Sequence, residues 1–500
     1  MAALPTTSNI NEPDLDLQDP HTDNINRLIM YIKVINKSKW DDYDDWFKLG
    51  AIIHNEHAPF SLFDEMSQLS TKYDKQACIQ KWNEYSDPFS TTRNLTIATV
   101  IAMAKVDNPS EFLNCNAHDI EMIQRKIMQH GITDDKAARL YYHLYPNQHI
   151  YDQSTGVWYY ANEYNMWNVD TNSSHMANGI KSKVRKQLET LCNRVDVTDK
   201  LHGHHRKMLI NAIRVLETRN NTIYVARATA GYYRVDTTNE LFESSNHLFA
   251  FKNGVYDLKT KTFRLPRPEE YVLVNCNYDY KPMTPEMLQV KERILAIAKS
   301  IVKVEDVTQL LQTIALSLSG DCDLEHLHVW KGQGSNGKSL LLDLIKCTFG
   351  PYCDTMDVSY LLVNNTRSAN TSNSMMAKKR YCRIIFSTEP PPNIKMKASM
   401  LKMFSSKNQV TCTDRYGTTS FVPKFRLFIQ TNFELNLDTN DNDIKANLKV
   451  QEFPWEFVDH PTKPHEKLID PNLKAEIRNN PLFHITFFHV LLEYYYMKPN

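Results

Sequence analysis

The sequence predicts an α/β protein in which a C-terminal domain with a parallel sheet follows a mixed α+β domain and a small helical domain. Three observations support this prediction. Apolar residues recur at helical spacing over 22–107, which favours a bundle of amphipathic helices. Aromatic residues alternate over 151–167, between helical stretches. An apolar strand, a glycine-rich turn and a leucine-rich helix follow one another over 328–345, an order typical of a parallel α/β unit.

The composition is that of a globular protein with more than one domain. Of its 500 residues, 42% are hydrophobic and 23% are charged, and chains beyond about 250–300 residues divide into several cores. The 58 basic and 58 acidic residues cancel, so any surface that binds nucleic acid must be local. No apolar run approaches the ~18 residues of a membrane span, and the N-terminus does not resemble a signal peptide. We therefore expect no membrane partner.

The cysteines and histidines do not form a recognisable metal site. Nine cysteines are scattered without a Cys-x-x-Cys pair, which indicates reduced thiols in an intracellular protein. The histidine-rich stretch from His202 to Lys207 has no cysteine or carboxylate pair nearby. We interpret this stretch as an exposed basic helix start rather than a metal site.

The order of patterns along the chain predicts five segments. Residues 1–21 are polar, acidic and proline-bearing, and we expect them to be disordered. The helical domain covers 22–107 and the mixed α+β domain covers 119–283. Neither contains convergent carboxylates or a nucleophile–base pair. The parallel-sheet domain covers 284–470, and the C-terminal helical segment, 471–500, ends abruptly, so we expect a further part to be missing.

The glycine-rich turn predicts a site for the phosphates of a nucleoside triphosphate. It has the spacing Gly-x-x-x-x-Gly-Lys-Ser in a chain with only 13 glycines. Backbone N–H groups of such a turn surround phosphate oxygens, and the helix start adds partial positive charge. Lys338 would reach the β- and γ-phosphates, and the Ser339 hydroxyl would bind Mg²⁺. The predicted nucleotide-binding residues are Gly332, Gln333, Gly334, Ser335, Asn336, Gly337, Lys338 and Ser339.

Two later strands end in polar residues that complete this prediction. The apolar run 381–386 leads to Glu389, followed by Pro390, and Glu389 is the candidate to bind Mg²⁺ and to orient and deprotonate the attacking water. The run 425–431 leads to Asn432. Because strand ends of an open parallel sheet meet at one crevice, Asn432 can sense the γ-phosphate. ATP and Mg²⁺ are the predicted cofactors, and the predicted catalytic residues are Lys338, Glu389 and Asn432.

These motifs resemble those of superfamily 3 helicases of the AAA+ class. The resemblance is carried by Asn336 to Ser339, by Glu389-Pro390, and by the segment 423–432. Residues 253–272 resemble the domain that precedes the helicase in poxvirus-type primase-helicases of large DNA viruses, and in phage and plasmid primases. Residues 45–83 resemble the helical module found C-terminal to archaeo-eukaryotic-type primase cores.

The resemblance implies an ATP-dependent ring, usually a hexamer, that translocates on single-stranded or forked DNA during viral or mobile-element replication. It makes Glu389 the Walker B acid and Asn432 the sensor. It implies an intracellular site, the host cytoplasm or nucleus. No primase active site is visible, so a separate primase or polymerase is an expected partner. The family places a hairpin that points into the ring channel over 407–424, and the candidates for DNA contact there are Lys407, Arg415, Tyr416 and Lys424.

One departure from the family leaves the hydrolytic mechanism open. Beyond the sensor, the family carries an arginine that reaches the neighbouring subunit's γ-phosphate, but residues 443–450 contain none. Such a finger contributes roughly 10³–10⁵ in rate, and lysine lacks its planar fork. Either Lys445 or Lys449 replaces it, or turnover is slow, or an arginine comes from elsewhere. The arginines considered are Arg367, Arg380 and Arg383.

Two other functions stay open. The chain could bind ATP and DNA as a replication scaffold or loader with weak hydrolysis, which the altered segment 443–450 favours. It could also be a P-loop enzyme of another class, such as a small-molecule kinase, although the strand that ends in Asn432 argues against this.

Overall fold

We describe the fold from a computed structural model of the chain. The tail predicted over 1–21 lies almost entirely outside the described part. Residue contacts divide the chain into two units, Met1–Pro146 with Met176–Tyr233 and Asn147–His175 with Arg234–Asn500. The structure describes residues 20–85, 95, 97–195, 200–235, 238, 241–242, 244–321, 326–363, 374–405, 408–414, 417–438 and 447–497.

The first unit consists of helices in its described part. A single π-helical segment, Ile180–Val184, joins α8 to α9. The helices are α1 (Pro20–Ile32), α2 (Tyr43–Asn55), α3 (Phe60–Ser67), α4 (Lys75–Glu84), α5 (Ile97–Asp107), α6 (Pro109–His130), α7 (Asp134–Leu144), α8 (Ser174–Gly179), α9 (Arg185–Arg194), α10 (Lys200–Glu217) and α11 (Arg219–Thr229).

Local sequence fixes several of these helix ends. The Asp74 carboxylate accepts the N–H groups of Gln76 and Ala77 and so caps α4, satisfying donors that have no partner inside the helix. Pro109 occupies the first turn of α6, where no N–H is needed. Gly131 follows α6 with φ +76°, a conformation that glycine adopts without strain.

A buried polar network joins α1, α6 and α7. The Arg27 guanidinium donates to Asp119 Oδ2 at 2.6 Å, and Tyr31 donates to the same oxygen at 3.0 Å. The His143 ring lies between Arg27 and Asn116, with Nε2 2.7 Å from Arg27 Nη2 and Nδ1 2.6 Å from Asn116 Oδ1. Burial and the nearby arginines lower the pKa of His143 well below its usual value, so the ring is neutral. The ion pair satisfies charges that would otherwise be costly to bury.

The second unit contains a mixed sheet and a small antiparallel meander before its main sheet. The first has the order β3-β2-β1-β4, with β4 parallel to β1. The meander has the order β5-β6-β7. The strands are β1 (His149–Asp152), β2 (Val157–Ala161), β3 (Trp167–Asp170), β4 (Arg234–Val235), β5 (Leu248–Phe251), β6 (Gly254–Asp257) and β7 (Thr262–Arg264).

The main sheet has five parallel strands, in the order β14-β8-β13-β10-β9. The strands of this sheet, of one antiparallel pair (β11 with β12) and of one parallel pair (β15 with β16) follow. They are β8 (Leu327–Lys331), β9 (Cys353–Met356), β10 (Ile384–Ser387), β11 (Val410–Asp414), β12 (Gly417–Phe421), β13 (Arg426–Thr431), β14 (Leu448–Glu452), β15 (Glu456–Val458) and β16 (Glu466–Leu468). The helices of this part are α12 (Pro285–Ile301), α13 (Val307–Ala315), α14 (Lys338–Phe349), α15 (Ser374–Ala377), α16 (Ala398–Phe404), α17 (Leu473–Asn479) and α18 (Pro481–Tyr496).

Both faces of the main sheet are buried. Along β10, Ile384 and Phe386 pack into one core with α12, α13, α14 and α18, whereas Ile385 packs into a second core with Leu401 and Phe404 of α16. This alternation is the two-residue period of a strand, and covering on both faces is what a parallel sheet requires. The predicted α/β class with a parallel sheet is confirmed.

The predicted domain boundaries stay predictions, because contacts group the residues differently. The predicted mixed domain, 119–283, contributes its strands to the second unit and the helices over 176–233 to the first. Sequence periodicity identifies helices and strands but not the partners against which they pack. No helix in the described residues is long and apolar enough to cross a bilayer.

Candidate functional site

The glycine-rich turn connects β8 to α14 at the carboxyl edge of the main sheet. β8 ends at Lys331 and α14 begins at Lys338. The Gly332 N–H donates to the Thr431 carbonyl of β13 at 3.1 Å, and the Phe457 N–H donates to the Ser335 carbonyl at 2.7 Å. The turn is therefore held from two sides, with the start of a helix behind it. A helix start of this kind favours anions.

Three glycines give the turn its shape for different reasons. Gly337 has φ +86°, and a Cβ there would lie 2.4 Å from Ile301 Cγ2. A Cβ at Gly332 would lie 2.4 Å from Asn336 Nδ2. At Gly334 a Cβ would meet no atom within 4 Å, so this part of the backbone is open to an approaching ligand.

We expect Gly337→Ala to destabilise the fold by about 1–3 kcal/mol, because the new methyl group requires a left-handed backbone and displaces Ile301. Nucleotide affinity should fall with it. Urea unfolding followed by circular dichroism measures the first effect. Gly334→Ala, in open space, is the matched control for packing, and equal stability losses in the two variants would contradict this explanation.

Lys338 lies inside the turn. It is 8% exposed, and its ammonium donates to the Gly332 carbonyl and lies 3.4 Å from Asn432 Oδ1. Burial lowers the pKa of Lys338, and the nearby Glu389 carboxylate opposes that shift. A partly desolvated ammonium interacts strongly with an anion that enters the turn.

The other two predicted catalytic residues lie next to this lysine. The Asn432 N–H donates to Glu389 Oε1 at 3.1 Å, and the Asn432 side chain contacts Lys338. The strand order explains the proximity: β13, which precedes Asn432, lies between β8 and β10. The chain leaves β8 towards one end of the sheet and leaves β13 towards the other, so a crevice opens between their carboxyl ends. The structure brings Lys338, Glu389 and Asn432 together there.

The residues of this crevice fit Mg²⁺ and the phosphates of a nucleotide. Ser339 is exposed in the first turn of α14, and Glu389 is exposed beyond β10. Mg²⁺ needs only one or two protein ligands, because water and phosphate oxygens supply the rest. Asn336 is buried, its Oδ1 accepts the Lys338 N–H at 3.3 Å, and its Nδ2 has no hydrogen-bond partner among the described residues. A bound phosphate oxygen can satisfy that donor.

Sequence reasoning did not identify the cleft that adjoins this crevice. Pro390, Asn393, Phe433 and Asn436 are among its lining residues, and it begins directly after Glu389 and Asn432. Its sequence signal is the run Pro390-Pro391-Pro392, which prevents helix or sheet pairing immediately after the acidic strand end.

Of the predicted DNA-contact residues, the structure describes Lys424, which lies away from this crevice. β11 and β12 form the predicted antiparallel hairpin, with Asp414 opposite Gly417. Lys424 precedes β13, at the amino edge of the main sheet, and its ammonium donates to Asn246 Oδ1 at 2.8 Å. The candidates outside the described residues are Lys407, Arg415 and Tyr416.

The described candidates for a trans-acting finger differ in how exposed they are and in what they contact. Lys449 is exposed on β14, the edge strand, in register with His328. Arg383 is 7% exposed, donates to the Leu248 and Leu318 carbonyls, and packs over the Tyr352 ring. Its guanidinium thus connects the start of β10 to the segments around Leu248 and Leu318. Lys445 and Arg367 lie outside the described residues, and Arg380 packs over Tyr381.

Comparisons with known proteins agree with the predicted relationship. Residues 138–296 match the family described as D5 N terminal like, and residues 28–104 match Primase C terminal 2 (PriCT-2). The chain is 23% identical over 446 residues to the predicted helicase L207/L206 of Acanthamoeba polyphaga mimivirus. This chain is related to the primase-helicases of large DNA viruses. The resemblance inferred from the motifs is therefore confirmed.

These relatives, named as helicases or primases, are longer than this chain. The match to mimivirus L207/L206 covers 86% of this chain and 45% of the relative. Predicted helicase 184R of Invertebrate iridescent virus 6 is 23% identical, over 70% of this chain and 41% of its own length. Predicted primase C962R of African swine fever virus (strain Badajoz 1971 Vero-adapted) is 21% identical, over 54% of this chain and 29% of its own length. The chain spans less than half of each of these relatives.

Solved structures show weaker likeness. The apo A form of the NrS-1 C-terminal region has a TM-score of 0.37 and 11% identity, covering 68% of this chain and 64% of that one. JCV helicase has a TM-score of 0.30 and 9% identity, covering 62% of this chain and 81% of that one. Neither score establishes a common fold.

Proposed function

We propose that this chain is an ATP-dependent DNA helicase of the superfamily 3, AAA+ class, which assembles into a ring, a hexamer by analogy with the family, and unwinds DNA during viral genome replication. One observation carries the proposal: beside the glycine-rich turn, Lys338 contacts Asn432, and Asn432 contacts Glu389. The named relatives, predicted helicases and primases, support the same reaction class.

The residues of the turn would bind and orient the triphosphate. The open backbone at Gly334 and the buried Asn336 amide would donate hydrogen bonds to phosphate oxygens. The Lys338 ammonium would exchange its carbonyl partner for the β- and γ-phosphates. Ser339 and Glu389 would hold Mg²⁺, which neutralises charge that develops on the transferred phosphoryl group.

Glu389 and Asn432 would carry out hydrolysis and report its outcome. The exposed Glu389 carboxylate would orient the attacking water and accept its proton. Asn432 contacts Lys338 through its side chain and Glu389 through its backbone. A change at the γ-phosphate would therefore alter two contacts of one residue, the arrangement that a nucleotide sensor requires.

The chain order suggests how hydrolysis would reach DNA. In the sequence, α16 and the β11–β12 hairpin lie between Glu389 and β13, the strand that precedes Asn432. Movement of either strand end would therefore move the base of the hairpin. We propose that Lys407, Arg415 and Tyr416 near this hairpin contact phosphates and bases. Lys424, already bonded to Asn246, is the weakest of the four candidates.

The proposed ring requires a cation from a neighbouring subunit. Lys449, exposed on the edge strand, is the described candidate, and Lys445 is the other. A lysine supplies charge without the bidentate fork of arginine. Slow hydrolysis would follow if neither reaches the γ-phosphate, and the chain would then serve as an ATP- and DNA-binding scaffold. The absence of arginine over 443–450 favours this scaffold function.

ATP hydrolysis by the purified chain, with and without single-stranded DNA, tests the proposal. A helicase motor should hydrolyse ATP with Mg²⁺, respond to DNA with higher turnover, and assemble into a ring detectable by light scattering. DNA binding without ATP turnover would contradict the helicase function and support the scaffold function. Turnover that requires a small metabolite and ignores DNA would contradict both.

A further inference from the structure

Positive charge is concentrated in one helical segment of the first unit. Residues 176–233 contain 11 Lys or Arg residues but four Asp or Glu residues, although the chain as a whole has equal numbers of each. This segment comprises most of α8 and all of α9, α10 and α11. Its excess charge creates a local field that attracts a polyanion.

Two of the basic residues, Lys207 and Arg214, lie on one exposed face of the long helix α10. Leu209, Ala212 and Leu216 are buried and fix its inner side. Four exposed residues lie on another face at spacings of three, four and three, which align along a helix. We call these residues the α10 basic stripe: His204, Lys207, Asn211 and Arg214.

Among the described residues, the two cations of this stripe, Lys207 and Arg214, form no internal ion pair. Within the part of the chain that the structure describes, no carboxylate lies at ion-pair distance from Lys207 or Arg214. Arg185 of α9 differs, because it contacts Glu189 at 2.7 Å and Glu217 at 3.4 Å. The positive potential of Lys207 and Arg214 is therefore not offset by a described carboxylate, and it is available to an external anion.

Neighbouring groups extend the same chemistry. The contact between Arg185 and Glu217 holds the start of α9 beside the end of α10, and Lys186 is exposed there. On α11, Tyr224 is 54% exposed with the Arg227 guanidinium 6.0 Å from its ring centroid. Exposed aromatic and basic residues together are the usual surface for nucleic-acid strands.

We propose that the α10 basic stripe binds the sugar–phosphate backbone of DNA, outside the nucleotide crevice. Lys207 and Arg214 are separated by two helical turns, about 10 Å along the axis, which spans about three steps of a strand. The contact is to phosphates, so it does not read sequence. This inference is independent of ATP hydrolysis and needs no ring.

The test is DNA binding by the full chain without nucleotide. Fluorescence anisotropy with a labelled 20-nucleotide oligothymidine and with a duplex of equal length, over a salt series, measures affinity and its salt dependence. Lys207→Gln/Arg214→Gln should reduce the slope of log affinity against log salt by about 1.4 for the single strand, or about 1.8 for the duplex. The single-strand change corresponds to about 25-fold weaker binding at 0.1 M salt.

The matched control is Lys252→Gln/Lys259→Gln, which removes the same charge from two exposed lysines elsewhere. It should leave the slope unchanged. A stripe variant with the wild-type slope, or a control variant that loses as much, overturns the proposal, and an unchanged slope would point to an acidic protein as the occupant. ATP hydrolysis without DNA should be unchanged in the stripe variant, and Lys338→Ala should keep nucleotide-free DNA binding. The two proposals therefore fail separately.

Discussion

Lys338→Ala is expected to lower ATP turnover by about 10³-fold, the loss that follows removal of a preorganised cation from developing phosphoryl charge. The ammonium is positioned for that role by its burial, by the Gly332 carbonyl and by Asn432 Oδ1. No other lysine lies in the described part of the turn or in the first two turns of α14. Steady-state hydrolysis with a coupled assay measures the loss.

The stability of this variant separates a chemical defect from a folding defect. Burial lowers the pKa of Lys338, so the folded protein already bears a cost for this cation. Its removal should change the free energy of unfolding by less than about 1 kcal/mol. Lys346→Ala is the control on the same helix, since its ammonium lies 3.3 Å from Thr355 Oγ1. Wild-type ATP turnover in a folded Lys338→Ala variant would contradict the assignment of the glycine-rich turn as the phosphate site.

The parts of the site that follow from local sequence were predictable. The strand, turn and helix around Gly332 to Ser339 have patterns that depend on neighbours along the chain, and the structure has them in that order. Glu389 and Asn432 follow apolar strands, so their positions at strand ends could be predicted. Their contact with Lys338 needed one further fact, the strand order, which the sequence does not encode locally.

Other features depend on contacts between distant residues. Arg383 looks like any surface arginine in sequence, yet it lies in a pocket of carbonyls and aromatic rings formed by Leu248, Leu318 and Tyr352. The buried pair of Arg27 in α1 and Asp119 in α6 joins two residues that are 92 positions apart in sequence. The basic start of α10 was visible in the sequence as the stretch from His202 to Lys207. Its alignment with Arg214 required knowing which face of the helix is buried.

Glu389→Gln is expected to bind ATP with nearly wild-type affinity and to hydrolyse it about 10²–10⁴-fold more slowly. The amide oxygen of glutamine can still accept the Asn432 N–H, as the carboxylate does at 3.1 Å, so Asn432 keeps its position. The amide oxygen can still bind Mg²⁺, but the amide cannot take a proton from water, so the main loss is in the chemical step. Titration with a fluorescent ATP analogue measures binding, and single-turnover hydrolysis measures the step.

The control for Glu389 lies at the same edge of the sheet. Glu434 is exposed and forms an ion pair with Lys331, and Glu434→Gln removes the same charge without touching Asn432. It should hydrolyse ATP at the wild-type rate. If Glu389→Gln lost binding and hydrolysis equally, the carboxylate would act by holding Asn432 and Lys338 in place rather than by activating water. Normal binding with slow hydrolysis would instead leave ATP trapped on the protein. Measuring ring assembly and DNA affinity in this ATP-bound state would show whether the γ-phosphate controls assembly, DNA binding or both.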